Sequence, residues 1–428
     1  MMLDRTTPPL IKDPIDFGYT LPPCETHILD NGIPLYALNL GAQEVVQVEW
    51  IFEAGIWQES KTGVAQTTAA LLKNGTASRT AARINEAIEK YGATLKISAN
   101  NDFAVITLST LSKHLHHLLP VVVEVIREPS FSREELDIYK QNAVQRLKVN
   151  LLRGDFVSNR YIDAFVFGRQ HPYGKYTELE DIEALTREDL VRFHRDWYTP
   201  DNCRIFLSGN FTGAHLNNIQ QLFGRDRVQA TAVKEPRTYQ TAPAGDRLHR
   251  IVNDPAGVQG AIRMARPFIE RTHPDFAPAL VMNTIFGGYF GSRLMSNIRE
   301  EKGYTYGIYS QFYAYRNASM LLVATEAGKE VSEATVEEII REAGHLRDQP
   351  VPEGELILVK NYILGNLLGD LDGAFSIMAR WKTLILNGLT ADHFDSNIRT
   401  YKEVTSETIQ DMARKYLDTE DFYNLIVY

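Results

Sequence analysis

Glu135-Leu136-Asp137-Ile138-Tyr139-Lys140 returns 220 residues later as Glu355-Leu356-Ile357-Leu358-Val359-Lys360, and Thr186-Arg187-Glu188-Asp189-Leu190 returns 219 residues later as Thr405-Ser406-Glu407-Thr408-Ile409. The second pair is followed in each case by a helix-like stretch, an aromatic residue (Trp197 or Tyr416) and a short apolar strand ending near Ser208 or Tyr428. A common offset at separate places is the mark of a tandem duplication. The alternative is two unrelated α/β domains that share ordinary periodicities. Thr231 to Asp246 is rich in Thr, Ala and Pro, lacks periodicity and reads as a linker, so the halves are expected to meet near residue 235. This places an N-terminal domain at 1–230 and a C-terminal domain at 231–428. A chain of 428 residues is too long for one ordinary core and suits two of about 200.

Within a half, Val46, Val48, Trp50 and Phe52 alternate with Gln47 and Glu49, the period of a half-buried strand, and Phe103 to Leu108 reads as a second strand. Ser132 followed by Glu135 predicts a capping box, with Phe131 and Leu136 as its hydrophobic staple, and Leu185, Thr186 and Leu190 repeat the arrangement. Strands and long helices without regular βαβ alternation predict an α+β fold. The expectation is two duplicated α/β-sandwich domains, each a largely antiparallel sheet with helices packed on one face.

Forty-five Lys and Arg against 54 Asp and Glu give a net charge of −9, so no overall positive field draws nucleic acid or an anionic membrane. Cys24 and Cys203 are too few for a disulfide scaffold and too isolated for a thiolate metal site, which fits a reducing compartment. The first residues, Met1 to Pro9, carry an acid and two prolines where a signal peptide needs apolar residues, and Glu124 interrupts the longest apolar stretch, Leu118 to Ile126. The expectation is a cytoplasmic protein with no membrane partner.

Gly168 to Lys175 has five residues between its glycines and Tyr176 where a magnesium-binding hydroxyl belongs, so it is no phosphate loop. Gly287-Gly288-Tyr289-Phe290-Gly291 lacks dinucleotide-binding spacing and reads as a tight turn where backbones approach closely. His114, His116 and His117 are the clustered histidines: His114 and His117 share a helix face, His116 is expected to point elsewhere, and no carboxylate lies in the same turn. Zinc needs three or four convergent ligands, so the cluster reads as a polar helix face. No other two histidines stand within four positions of each other, so a helix-borne His-x-x-x-His pair is impossible anywhere in the chain.

Several stretches nevertheless resemble the insulinase/pitrilysin family of zinc metallopeptidases, in its mitochondrial-processing-peptidase-like branch. The family's Gly-Leu-Ala-His-Phe-x-Glu-His-x-x-x-x-Gly-Thr is matched by Gly63-Val64-Ala65-Gln66-Thr67-Thr68-Ala69-Ala70-Leu71-Leu72-Lys73-Asn74-Gly75-Thr76. His171-Pro172-Tyr173-Gly174, Leu185 to Leu190, Trp197 to Asn202 and Gly209 are similar to later landmarks. In the second half Gly287-Gly288, Ser292-Arg293-Leu294 and Ile298 to Tyr306 are similar to the family's Gly-Gly, Ser-Arg-Leu and Arg-Glu-x-x-Gly-x-x-Tyr signatures. The resemblance spans roughly residues 25 to 428, with the landmarks of both halves in order.

The departure is at the chemistry. Zinc hydrolysis needs two imidazoles one helical turn apart, a Glu between them as base and a third protein ligand. Gln66 stands at the first His, Ala69 at the Glu and Ala70 at the second His; the distal Glu is implied near Arg146 or Leu147, yet no acid occurs between Asp137 and Asp155. The chain alone is therefore expected to bind no catalytic zinc and to cleave no peptide. The second-half pair survives: in the family's active assemblies an Arg and a Tyr reach across to the zinc domain, and the resemblance places them at Arg299 and Tyr306. A guanidinium and a phenol suit a developing oxyanion. The structural alternative has Arg299 balancing a helix C-terminus and Tyr306 packing in the sheet. The resemblance thus implies the non-zinc subunit of a heterodimer, with zinc in a homologous partner that carries an intact His-x-x-Glu-His motif and with peptides as substrates. The alternative is a non-catalytic structural or peptide-binding assembly protein of the same fold.

Overall fold

The computed structural model describes residues 11–225 and 237–428. The expected meeting point of the halves near residue 235, and the linker up to residue 236, lie outside the described residues. The strands fall into two sheets. β1 (Glu25–Ile28), β2 (Pro34–Asn39), β3 (Val45–Phe52), β4 (Thr94–Ala99), β5 (Ala104–Leu111) and β6 (Cys203–Gly209) form a six-stranded sheet in the order β1-β2-β6-β3-β5-β4. β7 (Leu248–Ile251), β8 (Gln259–Phe268), β9 (Thr305–Ala314), β10 (Ser319–Gly328) and β11 (Tyr423–Val427) form a five-stranded sheet in the order β7-β11-β8-β10-β9. Each sheet is antiparallel except for one pair, β2 with β6 and β7 with β11. These occupy equivalent places, so the second sheet repeats the first strand for strand apart from β1. The helices repeat too: Arg133–Asn150 answers Glu353–Asp370, and Arg187–Trp197 answers Ser406–Tyr416. The fold is α+β, as the periodicities predict.

The alternation in β3 puts Val46, Val48, Trp50 and Phe52 into the core beneath the first half's own helices, where Leu115, Leu118, Val122, Phe193 and Phe223 meet them. Burying one such side chain completely stabilises the fold by about 2 kcal/mol. Ile262, Met264, Leu321 and Val323 do the same in the second half, with Val336, Ile339 and Met412. The opposite face of each sheet is covered by a single helix from the other half. Gly154–Phe167 lies on the second sheet, its Val157, Ile162 and Val166 against Ala261, Ala265 and Leu425. Ala374–Leu386 lies on the first, its Ile377, Met378 and Leu384 grouped with Ile51, Phe206 and Leu38.

This exchange changes the reading of β3. Glu49 stands on the polar side of the alternation, yet only 7% of it is exposed because the lent helix covers it. Lys382 Nζ of that helix donates to Glu49 Oε1 at 2.8 Å and Oε2 at 2.9 Å. A second ionic seam joins the halves, with Glu53 Oε1 receiving Arg204 Nη1 at 2.9 Å and Arg316 Nη1 at 2.8 Å. Among the described residues no helix is long and apolar enough to cross a membrane.

Candidate functional site

The helix Val64–Leu71 carries the positions where the resemblance places zinc ligands. It starts from Gly63 at φ +84°, a residue with no side chain to cap it. The cap comes from Glu59, which sequence reasoning missed: Oε1 accepts from the Ala65 N–H at 2.9 Å and Oε2 from the Gly63 N–H at 3.1 Å. Only 6% of Glu59 is exposed, and burial pushes its carboxyl up to about 7 even though both amides favour the ionised form. An acid four residues ahead of a glycine N-cap was the available signal. Lys61 adds a second anchor, donating to Asp189 Oδ2 at 2.7 Å.

Along this helix Gln66 is exposed, Ala69 is fully buried and Ala70 is half-buried. The helix Arg133–Asn150 touches it, as a distal ligand would require. There Arg146 is exposed and Leu147 is buried with Ala143 and Ile182. The scaffold of a two-helix metal site is thus assembled, but its donors do not fit zinc: a neutral amide, two methyls, a guanidinium and an isobutyl group supply no ligand set. Among the described residues no three of His, Cys, Asp and Glu come together as a metal site requires. His114 and His117 lie 4.9 and 5.2 Å, ring to ring, from Tyr91. His116, expected to point elsewhere, stands 3.8 Å from the His117 ring. The helix starts only at Leu115, so these neighbours share an exposed first turn beside Tyr91.

The second-half pair lies on different elements. Met295–Glu301 is a π-helical segment with Arg299 in its last turn, and Gly303 at φ +67° turns the chain into β9. Gly287 and Gly288 end another π-helical turn, Thr284–Gly288, rather than a free tight turn. The close approach expected there is real, because a Cβ on Gly287 would lie 2.8 Å from both Leu294 Cδ1 and Ser310 Cβ. The start of β9 is pinned at a bulge against β10, where Thr325 Oγ1 donates to the Gly307 carbonyl at 2.9 Å.

Tyr306 follows on this edge strand and is 91% exposed, so it does not pack in the sheet. The Arg299 guanidinium stacks 4.7 Å from the Phe290 ring and 5.4 Å from the Tyr306 ring. Among the described residues neither Arg299 nor the Tyr306 hydroxyl has a hydrogen-bond or carboxylate partner. Tyr306 stands in the wall of a cleft of about 1020 Å³ lined by Tyr304 to Tyr309, Gln259, Glu326 and the start of the lent helix at Gly154 and Asp155; Arg299 reaches this edge only through its contact with the Tyr306 ring. The structure does not bring this pair onto the degenerate zinc positions; the two features occupy different halves.

His171-Pro172-Tyr173-Gly174 is a clasp. The Tyr173 hydroxyl donates to Asp102 Oδ1 at 2.5 Å and accepts from the Asn317 backbone N–H at 3.2 Å and Nδ2 at 3.1 Å, tying the β4–β5 turn to the β9–β10 turn. Asp102 Oδ2 also accepts from the Arg316 N–H at 3.3 Å. His171 is buried, with its ring edge-on to Trp57 at 5.6 Å, and burial lowers its pKa.

Two family models match the chain in tandem. Residues 39–162 match the insulinase (peptidase family M16) model and residues 184–363 match the peptidase M16 inactive domain. A relative described as an uncharacterized zinc protease of Bacillus subtilis is 23% identical over 366 residues, 84% of this chain and 87% of that protein. The structure resembles a peptidase M16 inactive domain from Pseudomonas fluorescens, with a TM-score of 0.84 at 23% identity over 94% of this chain and 98% of that one. It also resembles a protease from Helicobacter pylori, with a TM-score of 0.86 at 16% identity over 95% and 100% of the two chains. With both models in tandem order and the fold shared across nearly the whole length, the chain belongs to the insulinase family, M16, and lacks that family's His-x-x-Glu-His motif.

Proposed function

We propose that this chain is the non-zinc subunit of a two-chain peptidase, contributing Arg299 and Tyr306 to substrate binding and oxyanion stabilisation on a homologous partner that holds the zinc. One observation carries the reading: a guanidinium lies 5.4 Å from the ring of a tyrosine in the wall of a large cleft, and neither the guanidinium nor the phenol hydroxyl is engaged by a polar group among the described residues. The guanidinium lies within cation–π distance of both the Phe290 and the Tyr306 rings, contacts that use none of its N–H groups. These contacts leave the N–H groups and the phenol hydroxyl free to donate, as an oxyanion site requires.

The test is reconstitution. This chain is mixed with a homologue bearing an intact His-x-x-Glu-His, and peptide cleavage is expected to rise by orders of magnitude over either chain alone. Tyr306→Phe or Arg299→Ala is expected to lower turnover roughly a hundredfold, with complex formation unchanged. Intact turnover in both variants overturns the donor role. Stable complexes with chains that lack any zinc motif, together with no gain in cleavage, establish the structural assembly reading in its place.

A further inference from the structure

A second cavity, of about 430 Å³, lies in the C-terminal half between the helix Phe276–Asn283, the Tyr309–Phe312 stretch of β9 and the helices Ala374–Leu386 and Ala391–Glu403. Neither the degenerate zinc positions nor Arg299 and Tyr306 line it. Its lining joins apolar residues, Phe276, Leu280, Phe312, Leu384 and Phe394 among them, to polar ones that include Arg271, Arg380, His393, Asn397 and Tyr401, and it holds no Asp or Glu. In a chain of net charge −9 this is a local reversal of sign.

The two arginines are not equivalent. Arg380 is paired with Asp370, so its charge is already answered. Arg271 has no carboxylate partner among the described residues, its Nε is buried without a hydrogen-bond partner, and its guanidinium rests 5.8 Å from the Phe276 ring. Burial depresses the Arg271 pKa, as does the neighbouring Arg380. His393 is held below its usual value by burial and then by Arg271, which leaves it neutral at pH 7. The cavity therefore offers one unanswered positive charge in a fork that matches a carboxylate, in a lining shared with Asn397 and with several aromatic and leucine side chains.

We propose that this cavity binds a monoanionic organic carboxylate, its head on Arg271 and its hydrocarbon body against Phe276, Phe312, Leu384 and Phe394. A dianionic phosphate fits less well, because only one positive charge is unanswered and such an anion has no use for the aromatic and leucine side chains of the lining. The proposal is independent of the peptidase reading.

Calorimetric titration of the full chain with 3-phenylpropionate and with hexanoate tests it, with 3-phenylpropionamide and inorganic phosphate as the comparison arms. At least one carboxylate is expected to bind with Kd of about 1 mM or below, and the amide and phosphate at least about tenfold more weakly. Arg271→Met is expected to weaken carboxylate binding at least tenfold. Thr383→Trp, which narrows the cavity from an exposed position, is expected to do the same and serves where the first variant does not fold. No binding by either carboxylate, equal binding of the amide, phosphate binding as tight as the carboxylates, or unchanged affinity in a folded variant each overturns the proposal.

Discussion

Glu59→Gln isolates what a buried carboxylate does to the pH dependence of this fold. In the folded chain burial raises Glu59 from the ordinary value of 4.5 to about 7. Below the lower value both folded and unfolded chains hold the proton. As pH rises between the two, the unfolded chain releases it while the folded chain keeps it, so stability falls until the folded group also ionises and then levels off. The interval of about 2.5 pKa units corresponds to a loss on the order of 3 kcal/mol. Glutamine removes the titration but keeps one acceptor for two amides, so at acid pH the variant is expected to be less stable by about one hydrogen bond, ~1 kcal/mol. Near neutral pH the order reverses. Asp163, also raised to about 7 by burial, adds a slope of the same sign to both proteins and cancels in their difference. Urea denaturation of both chains, from about pH 5 to about pH 8, gives that difference directly. Stability curves that run parallel within about 0.5 kcal/mol refute the reasoning, because they mean that Glu59 titrates alike in both states.

Further outcomes follow from the geometry. Tyr173→Phe takes the hydroxyl from Asp102 and Asn317 and is expected to lower stability by about 2–3 kcal/mol, as removal of a hydrogen bond to a charged group does, measured by urea denaturation. Gly209→Ala adds a Cβ 2.2 Å from the Val45 carbonyl oxygen at φ +113°, and calorimetry is expected to show a loss of about 3 kcal/mol. Arg271→Met removes an unanswered, half-buried charge, so the ligand-free variant is expected to be as stable as the parent or more so by about 1 kcal/mol in thermal unfolding. Ala69→Glu forces a carboxylate into a fully buried position and is expected to lose about 3 kcal/mol or more, whereas Gln66→His at an exposed one stays within about 0.5 kcal/mol, both by thermal unfolding.

Much of the fold is legible because it rests on local rules. The alternation in β3 gives a strand at Val45–Phe52, and Ser132 Oγ accepts from the Glu135 N–H as a cap should. The rest of the box is different: Glu135 Oε2 receives Asn74 Nδ2 at 2.8 Å, a partner 61 positions away that no window along the chain reveals. The same limit hides the helix exchange. Periodicity tells which side of Ala374–Leu386 is apolar, but not that the sheet beneath it belongs to the other half; Glu49 looks like a solvated position until Lys382 arrives from 333 residues further on. The π-helical turns at Thr284–Gly288 and Met295–Glu301 have no periodicity signature of their own. Arg299 and Tyr306 came from a motif. The exposure of Tyr306 came from the edge position of β9, a property of sheet order, and the contact of Arg299 with Phe290 from tertiary packing, neither of which sequence spacing reveals.

The two ends of the candidate machinery answer one physical question in opposite ways. The helix Val64–Leu71 is held by the Glu59 cap, by the Lys61–Asp189 bridge, and by Val64, Ala65 and Leu71 in the core. None of these anchors depends on what stands at positions 66, 69 and 70, so donors can be missing there while the helix stays in place. Tyr306 gives the chain no burial, and its hydroxyl meets no polar group among the described residues. Arg299 has aromatic faces and no acid. Folding alone therefore demands neither the zinc set that is gone nor the donor pair that remains. Tyr306 stands in the wall of the cleft of about 1020 Å³ with Arg299 5.4 Å from its ring, so variants at these two positions report on that cleft with little contribution from folding.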